Sequence, residues 1–112
     1  MDWLDNLQKA INYIEEHLLE DEMITDMNIS HEIYSSTDSF RTIFRVVTGY
    51  SVGEYIRNRR LSLSGEELIQ SGHTILDIAL KYGYDTPEGF TKAFSRFHGV
   101  TPSYVRKNRT GL

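Results

Sequence analysis

Apolar side chains recur at helical spacing along almost the whole chain. Leu4, Leu7, Ile11, Ile14 and Leu18 form one stripe, which predicts an amphipathic helix over residues 3–19. Residues 24–34 read as a shorter, weakly amphipathic helix with Ile24, Met27, Ile29 and Ile33 inward. Capping residues Ser35 to Ser39 then open a clearer helix over about 37–47, with Phe40, Ile43, Phe44 and Val47 at i, i+3, i+4 and i+7. Gly49 ends it. Val46-Val47-Thr48 is β-branched, but the phenylalanine spacing overrides that signal.

Ser51-Val52-Gly53-Glu54 has the capping-box pattern, flanked by Tyr50 and Tyr55 at the positions of a hydrophobic staple. The helix it opens is expected to run to about Ile69, with Gly72 beyond its end. Ser64-Gly65 within it predicts a close helix crossing. Thr74 opens a further helix with Ile75, Ile78, Ala79 and Tyr82 inward, stopped by Gly83. Thr86-Pro87 is an N-cap followed by proline at the first helical position, where its missing N–H is harmless. That helix carries Phe90, Ala93, Phe94 and Phe97 and stops at Gly99. Thr101-Pro102 starts a last short helix to about Asn108, with Val100 and Val105 as staple. The aromatic residues at helical spacing read as core. The sum is an all-α chain of seven helices without strands.

A degenerate repeat organises these elements. Phe40-x-x-x-Phe44-x-x-x-x-Gly49 recurs fifty residues later as Phe90-x-x-x-Phe94-x-x-x-x-Gly99. Each copy follows a short helix and a turn, so each is a helix-turn-helix unit. The expected organisation is an N-terminal helix plus first subdomain over 1–50, a long linker helix over 51–71, and a second helix-turn-helix subdomain over 72–112. A spacer of about 18 residues spans roughly 27 Å, against about 34 Å for a turn of B-DNA. Two recognition helices, about 37–47 and 87–97, are therefore expected to enter successive major grooves from one chain.

Charge sharpens this picture. The 112 residues carry a net charge of −4, which by itself argues against a polyanion partner. The distribution is polarised: residues 1–38 hold ten acids and one base, Lys9, and residues 39–112 hold eleven bases and six acids. The acidic run from Glu15 to Glu22 reads as a solvated face. On the first recognition helix, Asp38, Thr42 and Arg45 point away from the apolar stripe, with Thr37 and Arg41 flanking. On the second, the set is Glu88, Thr91, Lys92, Ser95 and Arg96. Arginine and lysine can donate to guanine O6 and N7, and threonine can offer a methyl to thymine. Ser36 and Thr86 cap helices whose N-terminal N–H groups could meet phosphate.

The most specific stretch runs from Ile75-Leu76-Asp77-Ile78-Ala79 through Gly83-Tyr84-Asp85-Thr86-Pro87 to Phe90-Thr91-Lys92-Ala93-Phe94, then Gly99-Val100-Thr101-Pro102. With Gly53-Glu54-Tyr55-Ile56-Arg57, Arg60-Leu61 and Glu67-Leu68 in the linker, the chain closely resembles the DNA-binding domain of the AraC/XylS family of bacterial transcription regulators, from about Leu4 to Lys107. The resemblance implies a cytoplasmic, sequence-specific binder of double-stranded promoter DNA, often an activator that contacts RNA polymerase. It puts Thr37, Asp38, Arg41, Thr42 and Arg45 on the first recognition helix, and Pro87, Glu88, Thr91, Lys92 and Arg96 on the second. In many members of the family an effector or dimerisation domain accompanies this one, and none is present in this chain. The chain is therefore expected to be either a stand-alone regulator or an excised domain, and the ending Arg109-Thr110-Gly111-Leu112 fits the second. Departures gather in the first unit: Ser30 where the family often has a small apolar residue, Tyr34-Ser35 at a glycine-like turn, and Thr42 where arginine is usual. In the linker, Ser64 stands where alanine is frequent.

Other chemistries are weaker. Gly49-Tyr50-Ser51-Val52-Gly53 matches the nucleophile elbow of hydrolases, with Asp77 or Asp85 and then His98 in workable order. The elbow needs a preceding strand, and Ser51 has a better role as a helix cap, so no enzyme is expected. His17, His31, His73 and His98 are dispersed, and there is no cysteine, phosphate-binding glycine loop or dinucleotide fingerprint. No cofactor or metal is expected. No apolar run is long enough to cross a membrane, and the acidic N-terminus is no secretory signal. The Asn28-Ile29-Ser30 and Asn108-Arg109-Thr110 sequons carry no meaning in a cytosolic bacterial protein. The rival reading is an all-helical protein-interaction module that has lost DNA binding, with its acidic third as partner surface.

Overall fold

The turn and cap hydrogen bonds of the repeat recur in both copies in the structure, a computed structural model that describes residues 2–109. Seven helices follow one another: α1 (Trp3–Glu16), α2 (Asp26–Glu32), α3 (Thr37–Thr48), α4 (Val52–Gln70), α5 (Ile75–Lys81), α6 (Pro87–His98) and α7 (Pro102–Lys107). No strand occurs among the described residues. The C-terminal Thr110-Gly111-Leu112, and with Thr110 the second sequon, lie outside them. The chain divides into two compact units, Met1–Arg57 and Asn58–Leu112, so α4 contributes its first turns to one and the rest to the other.

In the first unit, α1 buries Leu7, Ala10 and Ile14, and Leu18 follows in the turn beyond the His17 C-cap. The stripe therefore begins one turn later than its spacing predicts: Leu4 is exposed and Ala10 takes the inward position. The helix also ends at Glu16 instead of near residue 19. The core continues through Ile24, Ile29 and Ile33 to Phe40 and Phe44 of α3, whose rings meet edge to face at 5.7 Å. Met27, expected inward, is 71% exposed, because the seven-residue α2 has only one face and Ile29, Ser30 and Ile33 occupy it. Ser30 is accommodated by hydrogen bonding. Its hydroxyl donates to the Met27 carbonyl at 3.0 Å, leaving its oxygen to accept from the Thr37 hydroxyl, also at 3.0 Å. One buried serine thus ties α2 to the first turn of α3.

The turns of the two units correspond. Ser35 N–H donates to the Ser30 carbonyl, and Tyr84 N–H to the Ala79 carbonyl, both at 2.9 Å. The residue before each bond is left-handed: Gly83 at φ +94°, and Tyr34 at φ +55°. Tyrosine in that conformation is strained by about 1–2 kcal/mol. The second helices are capped alike. Ser36 Oγ accepts from Ser39 N–H and Thr86 Oγ1 from Gly89 N–H, while Gly49 and Gly99 close the helices at φ +80° and +79°.

In the second unit, Leu61 and Leu68 of α4 pack with Ile78, Ala79, Tyr82, Phe90 and Phe94, and Ile75, Tyr84, Ala93 and Val105 close over them. The predicted close approach at Gly65 is present. A Cβ there would lie 3.3 Å from both Cε1 and Nε2 of His98. Val47 and Phe97, read as inward, are exposed in both units alike. They occupy the same repeat position, one turn beyond Phe44 or Phe94, where each helix has run past its core. Tyr50, expected in a staple with Tyr55, is about half exposed. Tyr55 packs edge-on against Phe44 and donates its hydroxyl to Glu15 at 2.9 Å. No helix among the described residues is long and apolar enough to cross a membrane.

Candidate nucleic-acid interface

Twelve residues were expected on the two recognition helices, and the structure sorts them by what their side chains already do. Three hydroxyls are occupied within the fold. Ser36 and Thr86 accept the capping N–H groups, and Thr37 bonds Ser30. These residues can offer a neighbouring helix N-terminus to a phosphate, but their oxygens already hold hydrogen bonds within the fold. Pro87 is half-buried at the first position of α6, and Thr91 is half-buried in its second turn. Asp38 and Glu88 are exposed in the first turns of α3 and α6, where a carboxylate is favoured by the helix dipole. Thr42 is exposed. Ser95, read as outward, is not: its hydroxyl oxygen is buried without a hydrogen-bond partner among the described residues.

The cations divide more sharply. Arg41 Nε donates to Asp26 Oδ2 at 2.6 Å, and Arg45 lies 3.8 Å from Glu54. Asp26, Arg41, Arg45, Ser51, Val52 and Gly53 line one cleft of the first unit. On α6, Lys92 and Arg96 stand one turn apart, exposed, and neither has an acidic or carbonyl partner among the described residues. The repeat aligns Lys92 with Thr42 and Arg96 with Val46, which is 77% exposed. Val46 was missed as a surface residue of α3, although the fifty-residue offset marks its position.

Much of the basic half is internal. Arg106 Nε donates to the Leu68 carbonyl at 2.9 Å and Arg109 Nη1 to the Ser71 carbonyl at 2.8 Å, so both arginines serve the C-terminal end of α4. Lys81 donates to Glu67 at 2.7 Å. Glu67 also accepts from His73 Nδ1 and from the Tyr82 hydroxyl, both at 3.0 Å. Burial acts to raise the Glu67 carboxyl pKa, but the bonds from Lys81, His73 and Tyr82 outweigh it and hold it at about 2. Burial, then the bond to Glu67, pushes Tyr82 up to about 12 and keeps its hydroxyl a donor. This network clasps α5 to α4 and so sets the first helix of the second unit.

Ser51 serves the cap. Its oxygen accepts from Glu54 N–H at 3.1 Å, while Glu54 Oε1 accepts from Ser51 N–H at 2.8 Å. That backbone bond, ahead of the nearby Arg45 and Arg57, holds the Glu54 carboxyl below its usual value. A helix, α3, precedes Ser51 where a nucleophile elbow requires a strand.

A family model described as a helix-turn-helix domain matches residues 29–108. The transposon Tn10 TetD protein of Escherichia coli is 38% identical over 94 residues, 84% of this chain and 67% of that protein. The HTH-type transcriptional activator AarP of Providencia stuartii is 41% identical over 69 residues, 62% of this chain and 51% of its own length. The chain spans between a third and two thirds of the relatives it first matches. The fold is similar to that of a transcriptional regulator with an AraC-type DNA-binding domain from Chromobacterium violaceum, at a TM-score of 0.85 and 21% identity, covering 95% of this chain and 93% of that one. With two helix-turn-helix units built on the same turn and cap bonds, and a family match across both, the chain belongs to the AraC/XylS family of helix-turn-helix DNA-binding transcription regulators.

Proposed function

We propose that this chain binds promoter DNA sequence-specifically, with α3 and α6 entering successive major grooves, and regulates transcription from the bacterial cytoplasm. The observation that carries this reading is the pair Lys92 and Arg96: two exposed cations, one turn apart on α6, unengaged by any group among the described residues. Long cations on the outer face of the second helix are placed to meet guanine edges or phosphates. Ser36, Thr37, Thr86 and Pro87 form the first turns that approach the backbone. Asp38, Arg41, Thr42 and Arg45 face the duplex from α3, and Glu88, Thr91, Lys92 and Arg96 from α6. RNA polymerase is the proposed protein partner. An effector or dimerisation domain outside this chain fits relatives that are longer than it.

The test begins with selection of bound duplexes from a random pool. Lys92→Ala and Arg96→Ala are then compared on the selected duplex by fluorescence anisotropy across a salt series. A base-reading residue should lose about 1–3 kcal/mol and relax preference at one position. A phosphate-binding residue should weaken all duplexes alike and reduce the salt slope by about 1. Variants that bind every duplex as the parent does would remove α6 from the interface.

A further inference from the structure

We propose that Asp26 buttresses Arg41 as a reader of guanine in the half-site met by α3. This deepens the reading of α3 as a recognition helix and rests on it. The guanidinium of arginine is planar, with one Nε–H and four Nη–H donors in fixed directions. Asp26 takes the Nε–H at 2.6 Å, a short charge-assisted bond. Among the described residues it is the only hydrogen bond of that guanidinium. The Nη edge is left open on a side chain that is more than half exposed. That edge is the part of arginine that matches guanine O6 and N7.

The buttress is itself anchored. Asp26 is the first residue of α2, directly behind the Thr25 cap, where its charge is favoured by the helix dipole. The α2 helix is fixed in turn by buried Ile29 and by the bond between Ser30 and Thr37. Arg41 is therefore held to a rigid element fifteen residues away in the chain before any duplex arrives. Ordering a free, rotamer-rich side chain at an interface opposes binding, and the Asp26 bond removes part of that penalty beforehand. Arg45, one turn on, lacks this support. Its Nη2 is 3.8 Å from Glu54 Oε1, too long for a hydrogen bond, and that oxygen already accepts from Ser51 N–H. Arg41 is thus an oriented donor set, whereas Arg45 is held only by a long ion pair. The second unit has no equivalent pair, since the repeat places Thr91 where Arg41 stands.

Asp26 also carries a negative charge toward a polyanion. A residue that only masked Arg41 would act in the opposite sense, and two variants separate the cases. Asp26→Ala removes the acceptor, whereas Asp26→Asn keeps an acceptor oxygen and removes the charge. The full chain is titrated by anisotropy, at fixed salt, with the selected duplex and with versions in which each G·C pair is replaced in turn by A·T. The parent should discriminate at one such pair by roughly 5- to 150-fold, the range of a bidentate contact. Arg41→Ala should abolish that discrimination and leave preferences at other pairs intact. Asp26→Ala should weaken the selected duplex by roughly twofold to tenfold and lower discrimination at the same pair. Asp26→Asn should retain that discrimination, and Asp26→Ala should add nothing in the Arg41→Ala background.

If both Asp26 variants tighten binding to every duplex, Asp26 masks Arg41 and the proposal is overturned. Equal weakening on all duplexes by Asp26→Ala, with a lower melting temperature, would assign it a structural role instead. Binding that responds to Lys92→Ala but shows no Arg41-dependent base preference would sink this proposal alone. A parent that prefers no duplex would sink the functional reading beneath it.

Discussion

Replacing Gly65 tests the close approach between α4 and α6 most directly. A Cβ at this position would stand 3.3 Å from Cε1 and Nε2 of His98 and 3.8 Å from Phe94. The His98 ring has little freedom to retreat. It stacks on Phe94 with centroids 4.1 Å apart, meets Phe97 edge-on at 4.7 Å, and its Nε2–H donates to the Leu61 carbonyl at 2.9 Å. For Gly65→Ala, two effects of similar size oppose each other. Alanine gains about 1 kcal/mol of helix propensity, and the ring must shift by a few tenths of an ångström against its neighbours. The expected change is within about 0.5 kcal/mol of zero. For Gly65→Leu, propensity no longer compensates. Overpacking contributes about 1–3 kcal/mol, and losing the His98 bond adds about 1 kcal/mol. Urea denaturation followed by circular dichroism measures both variants. The decisive arm is His98→Ala, which opens the space that the larger side chain needs. The destabilisation by Gly65→Leu should shrink by at least about 1 kcal/mol in that background, the coupling expected of residues in contact. A leucine variant as stable as the parent, or one equally destabilised with and without His98, would show that this ring does not set the approach.

Glu67→Gln should lower stability at pH 7 by about 1–2 kcal/mol, discounted because Lys81 and His73 are exposed. The folded carboxyl pKa is depressed to about 2, so its contribution is full above the unfolded value near 4.5 and is lost as pH falls toward 2. The gap between parent and variant in urea midpoint should therefore close over that window, and a gap independent of pH would refute the ionised network. Tyr34→Asn should stabilise by about 0.5–1 kcal/mol, since asparagine tolerates the left-handed backbone and the tyrosine ring, 91% exposed, packs on little; a drop in melting temperature would show that the ring holds the turn. Arg106→Ala should destabilise the second unit by about 1–3 kcal/mol by leaving the Leu68 carbonyl unmet. It should do so without changing the salt slope of DNA binding, and a slope reduced by about 1 would place Arg106 on phosphate instead.

The helices and the duplicated unit were legible because the signals that specify them are local. Phe40 and Phe44, like Phe90 and Phe94, lie one turn apart, and each cap bond spans three residues from Ser36, Ser51, Thr74, Thr86 or Thr101. Periodicity misjudged Leu4, Val47 and Phe97, where a helix outruns what it packs on, Met27 on the one-faced α2, and Ser95, whose hydroxyl is buried. It says which face is inward but not how far along the axis the core extends.

The interface was less legible, because a charge in a sequence carries no record of its partner. Counting eleven bases after Asp38 gives a positive half, yet Arg41 is held by an acid fifteen residues back, Lys81 by one fourteen residues back, and Arg106 and Arg109 by carbonyls thirty-eight residues back. None of these pairs lies within one helix, so no pattern along the chain marks them. The repeat supplies what the charge count lacks. Overlaying the copies at fifty residues puts Lys92 and Arg96 on Thr42 and Val46, and Arg41 and Arg45 on Thr91 and Ser95. The two recognition helices therefore present their cations on faces about 100° apart around the axis. One fold carried twice thus presents different chemistry on its two copies. On the proposed reading, Arg41 held by Asp26 and an apolar Val46 would meet one half-site, and Lys92 and Arg96 the other, so the chain would favour an asymmetric operator.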